Sequence, residues 1–186
     1  MAELLPHPFI FLRHGETFYN RARIIAGRLD VPLTPRGEDQ ARNVSALLGG
    51  QAWTHIAVST MFRARKTARL AVPDGEFHFY DGLRERDWGD LENTPQQEPM
   101  PYFETHGNGE SWAVFQQRVL DSLNDILMRF DRPLIVAHSG VFRVIRNVTQ
   151  GSPLGPRVDN VAPVLCQPPM SRRDHWSLTP WPLATQ

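Results

Sequence analysis

Cysteine is almost missing: Cys166 is the only one in 186 residues. A lone thiol cannot close an intrachain disulfide, which excludes the stapled frameworks of small secreted domains. Long apolar runs are missing too, none approaching the roughly 20 residues a membrane-spanning helix needs. The Met1–Ile10 segment carries neither the basic start nor the apolar run of a secretion signal. Net charge is absent, since 20 Lys and Arg are matched by 20 Asp and Glu. The total charge therefore gives no attraction to nucleic acid or to an anionic membrane. Metal-binding patterns are also lacking: there is no Cys-x-x-Cys, no His-Glu-x-x-His and no closely spaced histidine pair. These absences predict a cytoplasmic protein with no nucleic-acid partner, no membrane association and no metal or other cofactor.

What is present is an ordinary globular composition, 41% hydrophobic and 22% charged, at a length suited to one domain. Proline is the exception, at 16 residues against a usual frequency of roughly 5%, and it predicts long ordered loops. Three short apolar runs, Phe9–Leu12, Ile56–Val58 and Leu134–Ala137, read as buried strands, and Phe77–Tyr80 and Val161–Cys166 as two more. Thr34-Pro35 opens a helix running to Leu48, Ser59-Thr60 can cap another over Phe62–Leu70, and Ser111 opens a long one reaching Phe130. A further helix is expected over Val141–Val148, after a His138-Ser139-Gly140 turn. Residues 92–110 hold Pro95, Pro99, Pro101, Gly107 and Gly109 and read as a lid loop. Alternating strands and helices predict an α/β three-layer sandwich, a mostly parallel central sheet with helices on both faces, forming one domain over 1–186.

Such sheets bind ligands outside the carboxyl ends of their strands. Arg13-His14, the Ser59–Arg63 stretch and His138 all fall at such ends, with Glu85 in a charged loop. Arginine forks suit phosphate oxygens, and helix amino termini add unpaired amide donors. A neutral imidazole can attack phosphorus while Arg13 and Arg63 stabilise charge on the equatorial oxygens. As nucleophile, His14 needs an unprotonated distal nitrogen, which a backbone carbonyl at the other ring nitrogen secures. Glu85 is the carboxyl suited to protonating a departing alkoxide, with Asp87 as its reserve. The remaining histidines read as structural or surface residues.

Arg13-His14-Gly15-Glu16-Thr17 with Asn20 resembles the opening motif of the histidine phosphatase superfamily, the phosphoglycerate mutase-like proteins. Gly27, Asp30, Pro32-Leu33-Thr34, Gly37 and Gln40-Ala41 resemble the stretch that follows. Ser59 with Arg63-Ala64 and Thr67-Ala68 resembles the second arginine block, Leu83-Arg84-Glu85-Arg86 the acid loop, and Val136-Ala137-His138-Ser139-Gly140 the second histidine. The likeness runs from about residue 9 to 148. It implies a phosphoglycerate mutase-like fold and transient phosphorylation of His14. It further implies that Arg13, Arg63 and His138 surround the phosphoryl group, that Glu85 acts as acid and then as base for water, and that no metal takes part. Asn20, Arg23 and Gly27 fall in what resembles the substrate-contacting loop, and Ser139, where members often carry glycine, offers a backbone donor.

The resulting expectation is a metal-independent phosphomonoester hydrolase acting on a small phosphorylated metabolite. A mutase is the nearest competitor, and a noncatalytic phosphate-binding protein on the same fold is the alternative of a different class. The short interval between acid loop and second histidine favours the hydrolase. Arg23 and Arg28 are candidates for holding a second anionic group, and the proline-rich tail after Gly151 matches no usable pattern.

Overall fold

The structure, a computed structural model, describes residues 3–171 and 174–182. In chain order its elements are β1 (Phe9–Arg13), α1 (Phe18–Ala22), α2 (Pro35–Asn43), α3 (Ser45–Leu48), β2 (Ile56–Ser59), α4 (Phe62–Ala71) and β3 (Phe77–Tyr80). They continue with α5 (Trp112–Arg129), β4 (Leu134–Ala137), α6 (Ser139–Gln150), β5 (Val164–Gln167) and β6 (Ser177–Pro180). The six strands form one sheet in the order β3-β2-β4-β1-β5-β6. The first four are mutually parallel, and β5 and β6 extend the sheet antiparallel beside β1.

Strands buried on both faces must be apolar at every position, which explains the continuous runs. Side-chain alternation divides them between two cores. Phe9, Phe11, Ala57, Ile135 and Ala137 pack with Phe115, Val119, Leu123 and Ile126 of α5 and Val141, Val144 and Ile145 of α6. Ile10, Leu12, Ile56, Val58, Leu134 and Val136 face Ala41 of α2, Leu48 of α3 and the Ala64, Ala68 and Ala71 stripe of α4. Helices therefore cover both faces, giving the three-layer architecture. No helix among the described residues is long and apolar enough to cross a membrane.

The helix expected from Pro35 to Leu48 is broken at Val44. Ser45 Oγ donates to the Arg42 carbonyl at 2.6 Å, a local bond that competes with the helical ladder. The cap of α4 is not Ser59 or Thr60: Met61 takes the N-cap position with no side-chain bond, and Asp30 from a distant loop accepts from the Phe62 amide at 2.8 Å. The helix expected from Val141 starts at Ser139, and β5 starts at Val164 rather than Val161, which lies at φ 56° before Pro163. Two elements had no counterpart in the sequence reading, the single-turn α1, held by a Thr17/Asn20 capping box, and β6. Residues 92–110 form neither helix nor strand, as the prolines dictate.

Candidate active site

The parallel strands deliver their carboxyl ends to one edge of the sheet. Arg13 pairs with Ala137 across β1 and β4, and the His14 amide donates to the Ala137 carbonyl at 3.0 Å. His14 and His138, each one residue beyond its strand, are thereby neighbours, their ring centroids 5.2 Å apart. The loop after β1 is tied to α4, where Thr67 Oγ accepts from the Gly15 amide at 2.9 Å. It also lies so close to α2 that a Cβ on Gly15 would stand 2.4 Å from the Gly37 carbonyl oxygen.

His14 Nδ1 lies 2.8 Å from the Gly15 carbonyl oxygen. A carbonyl only accepts, so Nδ1 carries the proton and Nε2 keeps its lone pair. Burial first, then the Arg63 and Arg13 charges, hold the His14 pKa well below the usual imidazole range. His138 is shifted the same way by burial, Arg63, His14 and Arg13. Its Nε2 lies 2.8 Å from Ser59 Oγ, which also accepts from the Met61 amide at 3.3 Å, while its buried Nδ1 has no partner among the described residues. Both rings are neutral at neutral pH.

Arg13 donates through Nη1 to the Val158 carbonyl at 2.9 Å, and burial brings its pKa down to about 10, so it stays charged. Its buried Nε has no partner among the described residues. Arg63, 1% exposed, donates to the carbonyls of Gly27 and Leu29, both at 2.8 Å, which fixes that loop along the cleft wall. Glu85 accepts from the Arg86 amide at 2.9 Å and from the Gly140 amide at 3.0 Å. A Cβ on Gly140 would lie 1.9 Å from Glu85 Oε1 and would push the carboxyl group off the amide. A distant carboxylate thus takes up the first turn of α6, which explains why the helix begins earlier than its local residues suggest.

These groups line one cleft of about 670 Å³, including the part open to solvent. Of the site residues expected from sequence, Arg13, His14, Arg63, Glu85, Asn20, Gly27 and Ser139 line it, and His138 packs behind His14. Asn20 Oδ1 is engaged by the Thr17 amide and by Asn160 Nδ2. Arg23 does not line the cleft; it is 63% exposed at its side chain and pairs with Glu98. Arg28 pairs instead with Asp87 and Glu92. Asp87 also lies outside, in a neighbouring polar cleft with Arg28, Arg84 and Arg118; Glu85 borders both clefts.

The sequence reading missed the opposite wall: Ile24, Ile25, Trp88, Gln96, Met100, Tyr102, Arg143 and Arg157. Arg143 carried a signal, being a charge between Phe142 and Val144 within an apolar helical run. Arg157 carried none. No group of three His, Cys, Asp or Glu side chains placed to hold a metal ion occurs among the described residues.

The parallel sheet brings a neutral imidazole, the guanidinium groups of Arg13 and buried Arg63 and one carboxyl side chain to a single cleft, with a second neutral imidazole packed behind the first, an arrangement whose chemistry suits a phosphoryl group. Residues 9–160 match the histidine phosphatase superfamily, branch 1, and the chain belongs to that family. It is 33% identical over 159 residues to a Serratia proteamaculans protein named "Probable phosphoglycerate mutase GpmB", covering 76% of this chain and 74% of that one. It is 31% identical over 152 residues to the adenosylcobalamin/alpha-ribazole phosphatase of Escherichia coli, covering 72% and 74%. The crystal structure of a phosphoglycerate mutase from Thermus thermophilus superposes with a TM-score of 0.71 at 30% identity, covering 92% and 98% of the two chains. Phosphatase and mutase names both occur among these relatives, and the family is catalytic.

Proposed function

We propose that the protein is a metal-independent phosphomonoester hydrolase that works through a phosphohistidine on a small phosphorylated metabolite. The observation that carries this is the His14 Nδ1 bond to the Gly15 carbonyl, which leaves the Nε2 lone pair available beside Arg13, Arg63 and His138. His14 Nε2 attacks phosphorus as the ester P–O bond breaks. Arg13, Arg63 and a His138 Nδ1–H spread the developing charge, and Ser59 donates to His138 Nε2 to favour that tautomer. Glu85, the only carboxyl side chain among the described residues that line the cleft, protonates the departing alkoxide. It then takes a proton from water as the oxygen attacks the phosphohistidine, the P–N bond breaks and neutral His14 returns.

Hydrolysis is favoured over mutase action because a mutase must keep water from its phosphohistidine. Glu85 instead borders a second, open and polar cleft, which offers water a route to the carboxyl group that would activate it. The cleft's size suits a small ligand. Cytoplasmic residence belongs to the same reading, supported by a single buried cysteine. The test is phosphate release from an aryl phosphate in the presence of chelator, with vanadate as inhibitor and alkaline-stable, acid-labile label trapped on the protein from a radiolabelled ester. Label and release are both expected to vanish in His14→Ala. Turnover persisting in that variant, or phosphoryl exchange with a bisphosphorylated acceptor outpacing release, would overturn the reading.

A further inference from the structure

The cleft is lopsided in charge. Arg13, Arg63, Arg143 and Arg157 line it, Glu85 is its only acid among the described residues, and both site imidazoles are neutral, although the chain as a whole has no net charge. Arg13 and Arg63 flank His14 and suffice to meet a phosphoryl dianion. The other two stand where the cleft continues past Met100 and Tyr102 into a side compartment of about 630 Å³, counting its open part, and all four of these residues border both spaces.

We propose, building on the hydrolase reading, that the alcohol part of the substrate carries an anionic group, a carboxylate or a second phosphate, bound by Arg157. Arg157 is held in place for this. Its neighbour Val158 accepts from Arg13, the Val161 amide donates to the Arg13 carbonyl at 3.0 Å, and Asn160 Nδ2 donates to the His14 carbonyl at 2.7 Å. On the other side Arg143 Nη1 donates to the carbonyls of Pro153 and Gly155, both at 2.8 Å. The segment bearing Arg157 is therefore fastened to the phosphate end of the cleft and to α6 at once.

The arginine is also free to change partners. It donates to Gln96 Oε1 at 2.7 Å and lies 3.5 Å from Glu98. Glu98 is 63% exposed and already pairs with Arg23, so an incoming anion can displace it from Arg157 without stranding a buried carboxylate. Arg143, 4% exposed, positions the loop and adds its charge to the field at the same spot. Ile24, Ile25, Trp88, Met100 and Tyr102 supply an apolar wall along which the body of such an alcohol lies.

Benzylphosphonates, which cannot be hydrolysed, test the subsite without depending on turnover. Dissociation constants are measured for benzylphosphonate bearing a para carboxylate, a para phosphonomethyl group or a neutral para carboxamide. At least one anionic probe is expected to bind about tenfold tighter than the amide, as for one charge-assisted hydrogen bond. The advantage is expected to disappear in Arg157→Gln and to reverse in Arg157→Glu, and the favoured arm identifies the group. Equal affinities in the native protein, or an advantage that survives Arg157→Gln, would overturn the subsite. The hydrolase reading is judged separately, by His14-dependent phosphate release from an ordinary aryl ester.

Discussion

The two ends of the cleft are built by different means. At the phosphate end, Arg13, His14, Ser59 and His138 sit at or one residue beyond strand termini, where ladder hydrogen bonds already satisfy and fix the backbone. At the opposite wall the backbone pairing is limited to a short antiparallel bridge at Ile24 and Pro95, where the Ile25 and Gln96 amides donate to the Thr94 and Arg23 carbonyls at 2.9 and 2.8 Å, and charged side chains do much of the remaining fastening. Arg86 donates to the carbonyls of Tyr102, Glu104 and Glu110 at 2.6, 2.6 and 3.0 Å, and Arg143 and Arg13 do the same for the segment around residues 153–158. The groups proposed to react thus ride on the hydrogen-bonded sheet, while the wall proposed to meet the alcohol is held by a short backbone pairing and a few side-chain clamps.

His14 is the most decisive place to challenge that contrast. Replacement by alanine is expected to lower phosphate release by at least about a thousandfold with little loss of stability, because removal of a nucleophile is not made good by its neighbours. A fall of tenfold or less would show that the sheet-mounted end does not carry the reaction. Next comes the lid clamp. Arg86→Ala frees three lid carbonyls and a cation resting 4.3 Å over Trp88, and should cost about 2–4 kcal/mol, read as a lower urea midpoint at constant slope. It should also raise KM more than it lowers kcat, since in the proposed mechanism the lid residues Met100 and Tyr102 meet the alcohol rather than the phosphoryl group. Equal effects on both constants would tie the lid to the chemistry.

Ser59→Ala tests the phosphate end more gently. Losing the 2.8 Å partner of His138 is expected to reduce kcat/KM about tenfold, the worth of one buried hydrogen bond, and an unchanged value would mean that Ser59 does not set the tautomer. The smallest effect per step is on pH dependence. His14, His138 and, through burial and the adjacent His78, His55, brought down to about 4, are held neutral in the folded chain. Unfolded, each titrates near 6.5. Below that value the unfolded chain binds more protons, so stability is fully present above about 6.5 and declines as pH falls toward 4. Urea midpoints measured from pH 7.5 to 4 should fall through this window, and a flat profile would contradict the buried, neutral state of the rings.

How far each end is legible in the sequence follows from the same contrast. Phe9–Leu12, Ile56–Val58 and Leu134–Ala137 announce buried parallel strands, and polar residues just after such runs emerge at one edge, which places His14, Ser59 and His138 together, with Arg63 following in the first turn of α4. Glu85 lies in an irregular loop, and its place in the cleft depends on the Gly140 amide, a long-range contact that no local pattern signals. Apart from Arg143, which lies on α6, the other wall was illegible because nothing periodic governs it. Arg23 and Arg28 looked like anion ligands by proximity to the first motif, yet their neighbours Glu98, Asp87 and Glu92 claim them. Arg157, in a proline-rich stretch that carries no hydrophobic rhythm, lines the cleft together with Arg143.

The start of α6 joins two functions in one rigid piece. His138 immediately precedes that helix and Gly140 within its first turn grips Glu85, so the carboxyl group proposed as proton donor and the second imidazole share a mount. A tilt of the helix moves both together, so in the proposed mechanism it would disturb the proton donor and the charge-stabilising imidazole at once. The proline-rich loops reach that mount through Arg86 and Arg143, so an engineer seeking a new alcohol preference has a tool-holder whose jaws can be exchanged as long as those two bolts are kept.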